Sequence, residues 1–215
     1  MKSATPTVFI VDDDASICRS LARLVRQAGF VGRTFGSAEE FLEAQNAPLN
    51  HPACVVVDLH MPGLSGIELQ KRLCDGQASC PMIFISGNGD IPSTVEAMRQ
   101  GAVTFLTKPF DNNDLLRAID EALKKHNAFL ASDQREGVIR TRMKELTERE
   151  LEVMAWVITG ALNKQIAAEL NIVEKTVKVH RARVLDKMQA DSVAELVRLC
   201  GMVSFAPARP LSPSK

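Results

Sequence analysis

The sequence predicts an α/β domain followed by a smaller domain built only from helices. Short apolar runs alternate with amphipathic helical patterns over roughly the first 110 residues, as in a parallel sheet covered by helices. From Leu146 onward no strand pattern follows, and the apolar spacing fits helices. Residues 1–122 carry 10 Lys and Arg against 15 Asp and Glu, whereas residues 123–215 carry 16 against 11. This asymmetry indicates nucleic acid as a partner of the second half.

Five strands are predicted from runs that are rich in Val, Ile or Phe and that end at polar or turn residues. Such runs fit strands that are buried on both faces of a sheet. The candidate that follows Gly29 has the weakest pattern. The runs are Val8–Val11, Val31–Phe35, Cys54–Val57, Met82–Ile85 and Val103–Leu106.

A helix is predicted after each of these strands. Ser37, with Glu40 three positions later, has the spacing of a capping box, and Pro92 suits a first helical turn. Apolar residues at helical spacing mark the buried faces. They are Ile17, Leu21, Leu24 and Val25; Phe41 and Leu42; Ile67, Leu69 and Leu73; Val95 and Met98; and Leu115, Leu116, Ile119 and Leu123.

Four helices are predicted in the second domain. The first follows Thr147, which forms a capping box with Glu150, and Gly160 is its candidate C-cap. Asn163 is expected to cap the second helix. The third helix, over Glu174–Met188, has five Lys and Arg against two acids, a composition that suits entry into a DNA groove. The fourth covers Ser192–Leu199.

Polar side chains follow four of the predicted strands at their carboxyl ends. Asp12 and Asp13 end the first strand, Asp58 the third and Ser86 the fourth, and Lys108 follows the fifth. Open parallel sheets bind ligands outside these ends, so we expect one shared crevice. Clustered carboxylates need a cation, and oxygen ligands suit Mg²⁺ beside a phosphate. In such a site a carboxylate has the chemistry of a nucleophile toward phosphorus.

The motifs around these residues resemble the receiver domain of two-component response regulators. The resemblance covers about residues 5–122 and includes the segment D-x-x-M-P-G-x-x-G, which begins at Asp58. It implies a flavodoxin-like, five-stranded parallel sheet in the order 2-1-3-4-5. The matching segments are Val11–Asp14, Val57–Gly66, Ile85–Gly87 and Lys108–Phe110.

The resemblance implies a role for each residue of the crevice. Asp58 would accept a phosphoryl group from a phosphohistidine on a sensor histidine kinase. Lys108 would pair with the phosphate, and its bond to Pro109 is expected to be cis. Mg²⁺ would be held by Asp12, Asp13, Asp58 and the backbone carbonyl of His60. Asp14 is interpreted as a solvated neighbour of the site, not as a metal ligand.

Ser86 and Phe105 resemble the switch pair of this family. In such a pair a hydroxyl group moves toward the phosphate and an aromatic ring fills the vacated space, which biases a two-state equilibrium. Phe105 stands where many relatives have Tyr, so a switch here would be steric. The alternative interpretation is that Phe105 is an ordinary core aromatic.

The second domain resembles the LuxR/FixJ-type helix-turn-helix over about residues 144–202. The matching segments are Leu146–Glu150, Gly160–Ala167 and Lys175–Arg181. Lys178 and Val179 match positions that face base edges, and Arg181 and Arg183 flank that face. Matches to phosphate contacts, which position the protein on the duplex, are Lys164, Lys175 and Thr176. Val173 replaces the usual Ser or Thr, so the recognition helix lacks a side-chain N-cap.

The expected organisation is a receiver domain over 1–122, a linker over 123–143, a DNA-binding domain over 144–204 and a disordered tail over 205–215. The linker is either a semi-rigid helix or a loose tether, with a break at Gly137. No run of about 18 apolar residues and no secretory leader are present, so we expect a cytoplasmic protein. Free thiols, not disulfides or a zinc site, are expected for Cys18, Cys54, Cys74, Cys80 and Cys200.

Together the two resemblances imply a response regulator of the FixJ-like class, which is not an enzyme beyond the chemistry of its own phosphorylation. The expected partners are a sensor histidine kinase, double-stranded promoter DNA, RNA polymerase and, after phosphorylation, a second copy of the chain. One alternative is a phosphotransfer relay protein without DNA binding. Another is an aspartate-nucleophile phosphatase, although the D-x-D-x-[TV] motif typical of that class does not match Asp12–Ser16.

Overall fold

The computed structural model describes residues 5–45, 49–75, 80–87 and 91–208, except for the side chains of Cys74 and Asp75. The chain divides into two compact units, Met1–Ala131 and Ser132–Lys215, and the division falls inside a long helix. Most of the predicted tail, residues 209–215, lies outside the described residues.

The first unit contains a five-stranded parallel sheet in the order β2-β1-β3-β4-β5, which confirms the expected topology. Every predicted strand is present, with bounds that differ by at most one residue. β1, β3 and β4 are buried along their whole length, whereas β2 lies at an edge and exposes most of its residues. The edge position explains the weak apolar pattern of β2. The strands are β1 (Thr7–Val11), β2 (Val31–Phe35), β3 (Ala53–Asp58), β4 (Met82–Ser86) and β5 (Thr104–Thr107).

Alternate residues of the strands build two apolar clusters, one on each face of the sheet. Phe9 and Val11 face the cluster completed by α2, α3 and α4, whereas Val8 and Ile10 face the cluster completed by α1 and α5. The five helices are α1 (Ala15–Gln27), α2 (Ala38–Ala44), α3 (Gly66–Asp75), α4 (Ile91–Arg99) and α5 (Asn112–Lys144). This layering leaves the carboxyl ends of the strands open on one side of the sheet.

The predicted capping box at the start of α2 is formed only in part. The Ser37 side chain accepts a hydrogen bond from the Glu40 backbone N–H at 3.2 Å, as predicted. The Glu40 carboxylate, however, accepts from the Gly36 N–H at 2.7 Å. The first turn of α2 therefore gains an additional link to the end of β2.

The residues predicted as a linker are helical throughout, because α5 continues to Lys144. The predicted break at Gly137 is wrong. Glycine lowers the stability of an exposed helix by only about 1 kcal/mol relative to Ala, and ion pairs between residues four positions apart offset part of that cost. Such pairs join Lys125 to Glu121 at 2.8 Å and Arg140 to Glu136 at 3.1 Å.

Up to residue 208, where the described part of the second unit ends, this unit contains four further helices around one apolar core. Thr147 and Glu150 form the predicted capping box of the first helix. That helix ends at Val157 with Ile158 as its C-cap, so the prediction of Gly160 is wrong. Gly160 lies beyond the cap, with a φ of 83° that favours glycine. The helices are α6 (Glu148–Val157), α7 (Asn163–Glu169), α8 (Glu174–Met188) and α9 (Val193–Met202).

The described cysteines are all free thiols: Cys18, Cys54, Cys80 and Cys200. Burial raises the pKa of the Cys80 thiol to about 12, which keeps this side chain protonated and unreactive. The side chain of Cys74 lies outside the described residues. Within the described part of the chain, no helix combines the length and the apolar character that crossing a membrane requires.

Candidate functional site

The carboxyl ends of β1 and β3 bring three carboxylates together. Asp12 and Asp13 follow β1, and Asp58 is the last residue of β3. One carboxylate oxygen from each residue lies within 4.8 Å of the others. Asp12 and Asp58 are buried, whereas Asp13 is exposed. The donor set is oxygen alone and opens to solvent at Asp13, which fits Mg²⁺, an ion that usually keeps several waters.

Lys108 lies between two of these carboxylates. Its Nζ atom is 2.8 Å from Asp12 Oδ2 and 2.7 Å from Asp58 Oδ2. The Lys108 backbone N–H donates to the Ser86 carbonyl at 2.7 Å, and the Lys108–Pro109 peptide bond is cis, as expected. Burial lowers the pKa of Lys108, but the hydrogen bonds and charges of both Asp residues outweigh this effect and raise it. Lys108 is therefore an ammonium ion that offsets part of the carboxylate charge.

The single ammonium group does not fully offset the negative charge. Burial raises the pKa of Asp12, and the opposing hydrogen bonds from Lys108 and the Asp14 N–H do not cancel the increase. The Asp12 pKa and the Lys108 pKa thus both lie above their ordinary values. Burial is the main cause for Asp12, with a smaller contribution from the Asp58 charge, whereas the two carboxylates are the cause for Lys108. Three carboxylates face one ammonium group at this point, so a divalent cation fits the crevice on electrostatic grounds as well.

The loop that follows Asp58 is held close to the carboxylate. The His60 N–H donates to Asp58 Oδ1 at 3.2 Å, while the His60 side chain is exposed. At Gly66, a Cβ atom would lie 2.5 Å from the Asp58 carbonyl oxygen, so only glycine allows α3 to start here. The Leu64 N–H donates to Glu39 Oε1 at 2.9 Å. Sequence reasoning missed Glu39, because no local motif connects α2 with this loop.

Asp14 has a structural role as the N-cap of α1. Asp14 Oδ1 accepts hydrogen bonds from the Ser16 N–H at 2.7 Å and the Ser16 hydroxyl at 2.6 Å. These bonds lower the pKa of Asp14. An Asp directly before an apolar helical pattern is a typical N-cap signal.

The residues of the expected switch pair lie on neighbouring strands. Ser86 ends β4 and is completely buried. Phe105 lies in β5, opposite Phe84, and packs half-buried against the apolar cluster on the side of α2, α3 and α4. Pro109 is exposed. The carboxyl ends of β1, β3, β4 and β5 therefore deliver the predicted set to one edge of the sheet.

The basic surface of the second unit lies on α8. Lys175, Lys178 and Arg183 are exposed, and Val179 keeps 44% of its surface exposed. Thr176 is half-buried, and Lys164 is exposed near the start of α7. Within the described residues, no ion pair involves any of these four basic side chains.

Two predictions about the N-terminal ends of these helices can be compared with the structure. Val173 is the N-cap of α8 and makes no side-chain cap hydrogen bond, as predicted. The prediction of Asn163 as an N-cap is wrong, because Leu162 holds that position and its N–H donates to Gln165 Oε1 at 2.8 Å. Asn163 Oδ1 instead accepts from Arg181 Nη1 at 3.1 Å, and Arg181 is half-buried.

Both units match known sequence families. The family described as response regulator receiver domain matches residues 8–120. The family described as bacterial regulatory proteins, luxR family, matches residues 144–200. The helix-turn-helix match favours a DNA-binding regulator over a relay protein without a DNA partner.

Similar proteins share this organisation along nearly the whole chain. Transcriptional regulatory protein FixJ of Bradyrhizobium diazoefficiens is 43% identical, over 89% of this chain and 93% of that protein. Nodulation protein W of the same organism is 42% identical, over 92% of this chain and 86% of that protein. The solved structure of response regulator StyR has a TM-score of 0.80 at 43% identity and covers 92% of this chain and 99% of its own. The chain belongs to the two-component response regulators of the FixJ-like class, which join a receiver domain to a LuxR-type helix-turn-helix.

Proposed function

We propose that Mg²⁺-dependent phosphorylation of Asp58 by a sensor histidine kinase controls dimerisation and sequence-specific DNA binding, and thereby transcription. The supporting observation is the convergence of Asp12, Asp13 and Asp58 on one point, with Lys108 bridging two of them. In this proposal the receiver domain spans residues 1–122, and the DNA-binding domain spans 144–204. Promoter DNA and RNA polymerase, as partners, place the protein in the cytoplasm.

Phosphoryl transfer needs little covalent chemistry from the rest of the crevice. A carboxylate oxygen of Asp58 forms the new bond to phosphorus while the bond between phosphorus and the donor imidazole nitrogen breaks, and the electron pair stays on that nitrogen. Lys108, already 2.7 Å from the Asp58 carboxylate, donates to an oxygen of the arriving group. Ser86 would bind a second phosphoryl oxygen through its hydroxyl group.

The carboxylates of Asp12, Asp13 and Asp58 and the backbone carbonyl of His60 would hold Mg²⁺. When bound, the ion supplies positive charge that offsets the phosphoryl oxygens. The chain itself positions the nucleophile, because the His60 N–H and Lys108 each hold one oxygen of Asp58. This leaves the carboxylate with a fixed orientation toward the donor.

The phosphorylated receiver would dimerise through α4 and β5. Ile91, Val95 and Met98 lie at i, i+4 and i+7 on α4 and are 79%, 42% and 44% exposed. Inward movement of Ser86 with Phe105 would reshape this face, because Phe105 lies on β5. A second contact between copies would use Val193 and Val197 of α9. Two linked copies read two half-sites and double the contacts to phosphates.

On the DNA, α8 would enter the major groove with Lys178 and Val179 at base edges. The proposed phosphate contacts are Lys164, Lys175, Thr176 and Arg183. Exposed basic side chains that form no ion pair among the described residues contribute most to the free energy of binding a polyanion, because they break no intramolecular ion pair when they bind it.

The test is treatment of the full chain with acetyl phosphate and Mg²⁺. Intact-mass measurement should show one added phosphoryl group, sedimentation should show more dimer, and binding to a duplex enriched by the protein from a random-sequence pool should tighten. Asp58→Asn should show none of these changes, because an amide is not a nucleophile toward phosphorus.

Asp14→Asn is the matched control for this experiment. It removes a neighbouring negative charge but keeps a side chain that caps α1 well. It should respond to acetyl phosphate as the wild type does. If Asp58→Asn gained the phosphoryl group as readily as the wild type, Asp58 would not be the acceptor and the proposal would be wrong.

A further inference from the structure

Arg181 lies on the inward side of α8, although its charge and neighbours suggest a DNA contact. Residues 177, 181, 184 and 188 of a helix share one face. Val177, Val184 and Met188 are all completely buried in the core of the second unit. Arg181 therefore belongs to the buried side of α8, whereas Lys178 lies about 60° from Arg181 and about 100° from the buried Val177 around the helix.

The guanidinium group of Arg181 has an intramolecular partner. Arg181 Nη1 donates to Asn163 Oδ1 at 3.1 Å, and this hydrogen bond joins residues that are 18 positions apart. Asn163 is the first residue of α7, whose N-cap, Leu162, makes no side-chain hydrogen bond to the helix. The next residue, Lys164, is exposed. The bond thus ties the start of α7 to the middle of α8.

We infer that Arg181 is a positioning residue, which acts on DNA through Asn163 and not by contacting the duplex itself. By holding the start of α7 against α8, it fixes where Lys164 lies relative to Lys178. One helix-turn-helix then presents a phosphate contact and a base contact at a set spacing. This role rests on the proposed function, in which α8 enters the major groove.

A positioning role and a phosphate contact differ in their salt dependence. A side chain that neutralises a phosphate releases counterions and contributes roughly 0.9 to the slope of log affinity against log salt. A side chain that only orients its neighbours releases no counterions of its own, so its loss leaves the slope unchanged as long as Lys164 still reaches its phosphate. Arg183, which is exposed on the same helix, is a proposed phosphate contact and serves as the matched comparison.

The test is a double-mutant cycle in the full-length, phosphorylated chain, with binding to the enriched duplex measured over a range of salt. Arg181→Met keeps the apolar stem and removes the guanidinium group, and Asn163→Ala removes its acceptor. Each single variant should weaken binding about tenfold, the size expected for a hydrogen bond to a charged group, and the double variant should be no weaker than either. Arg181→Met should leave the salt slope unchanged, whereas Arg183→Met should lower it by about 0.9.

Several outcomes would overturn the role of Arg181. The first is a double variant whose fold-loss of affinity is the product of the two single losses. The second is an Asn163→Ala variant that binds the duplex as tightly as the wild type does. The third is a salt slope that falls in Arg181→Met as much as it falls in Arg183→Met. If the variants unfolded at a lower temperature but bound the duplex as tightly as the wild type while folded, the hydrogen bond between Arg181 and Asn163 would have a purely structural role. If Arg181→Met did not fold, the variants Asn163→Ala and Arg181→Lys would decide. Because Lys keeps a hydrogen-bond donor, the Arg181→Lys protein should bind the enriched duplex more tightly than the Asn163→Ala protein does. Failure of the proposed function is distinguishable, because the wild type would then bind random and enriched duplexes equally.

Discussion

The acidic crevice of the first unit and the basic face of α8 use charge in opposite ways. In the crevice, only 1% of the Asp12 side-chain surface and 20% of the Lys108 side-chain surface are exposed, and the two residues already form an ion pair at 2.8 Å. On α8, Lys175, Lys178 and Arg183 are exposed and have no ion pair within the described residues. The crevice is organised before its ligand arrives, whereas the basic face acquires its partners from the ligand.

This difference predicts where function and stability are coupled. Removing one partner of a buried pair leaves an uncompensated charge, so changes in the crevice should alter folding as well as chemistry. Removing an exposed, solvated charge leaves the folded state almost unaffected and should alter binding alone. The predictions for Lys108 and for Lys178 test the two sides of this contrast.

The largest effect is expected for Lys108→Ala. Loss of the ammonium group removes a donor to the transferring phosphoryl group, which typically costs about 100-fold in rate. It also leaves Asp12 and Asp58 facing each other, which should lower the free energy of unfolding by roughly 3 kcal/mol. Intact-mass time courses with acetyl phosphate and thermal unfolding measure the two effects, and Mg²⁺ should restore part of the lost stability.

Lys71→Ala is the control for the stability effect. Lys71 pairs with Glu96 at 2.8 Å, but both side chains are about half exposed. Such a surface pair contributes about 1 kcal/mol or less. If Lys108→Ala destabilised the protein no more than Lys71→Ala, the crevice would not be a preorganised charge cluster.

The next largest effect is expected for Lys178→Ala, on the other side of the contrast. Binding to the enriched duplex should weaken by about 1–3 kcal/mol, and discrimination against single base changes should relax. Lys175→Ala should instead weaken binding to all duplexes and lower the salt slope by about 0.9. Both variants should unfold within about 0.5 kcal/mol of the wild type, and a larger loss for either would contradict the contrast.

The sequence predicts the crevice well because two local rules combine there. Buried strands are visible as apolar runs, and parallel topology places their carboxyl ends at one edge, so Asp12, Asp58 and Lys108 follow directly. Sequence reasoning alone did not reach Glu39, whose bond to the Leu64 N–H joins residues 25 positions apart. Long-range bonds of this kind depend on how α2 packs, which no local pattern specifies.

The helical unit shows a second limit of sequence reasoning. The span of α8 is predicted to the residue, and its charge is obvious. The face on which Arg181 lies is less obvious, because an arginine in a buried stripe looks like its exposed neighbours until its partner Asn163 is known. Gly137 is a similar case, since ion pairs between nearby residues of α5 outweigh the weak preference of glycine against a helix.

A smaller, pH-dependent effect is expected at His126, a buried group in the first unit that lies outside the crevice. His126 is 3% exposed, and its Nδ1 atom accepts from the Ala53 N–H at 2.8 Å. Burial lowers the pKa of His126 below its ordinary value of 6.5, and the charge of nearby His51 acts in the same direction. As the pH falls below 6.5, the unfolded chain takes up a proton that the folded chain resists, so this residue makes stability fall with decreasing pH.

His126→Asn tests this effect, because an amide oxygen can accept from Ala53 but does not titrate. The unfolding temperature of the wild type should fall more steeply than that of the variant as the pH decreases from 6.5. At neutral pH the two proteins should differ little. Parallel pH profiles for the two proteins would show that His126 is not a source of acid sensitivity.

The smallest effect is expected for Val173→Ser, which adds a hydroxyl group at the start of the recognition helix. Val173 is 67% exposed, with an extended backbone that suits an N-cap. Ser192 shows the arrangement in this same unit, since its hydroxyl oxygen accepts from the Glu195 N–H at 3.1 Å at the start of α9. Val173→Ser should therefore raise the free energy of unfolding by up to about 1 kcal/mol, and Ser192→Ala should lower it by a similar amount.

Binding measurements on Val173→Ser separate two consequences of the missing hydroxyl group. If the group serves only as a cap, the variant should be more stable, with the same affinity and the same salt slope as the wild type. If a hydroxyl group at this position also reaches the duplex, affinity should rise without any change in slope, because the substitution adds no charge. A changed slope would mean that α8 had shifted against the phosphates, and the exposed basic face would then depend on local stability as the crevice does.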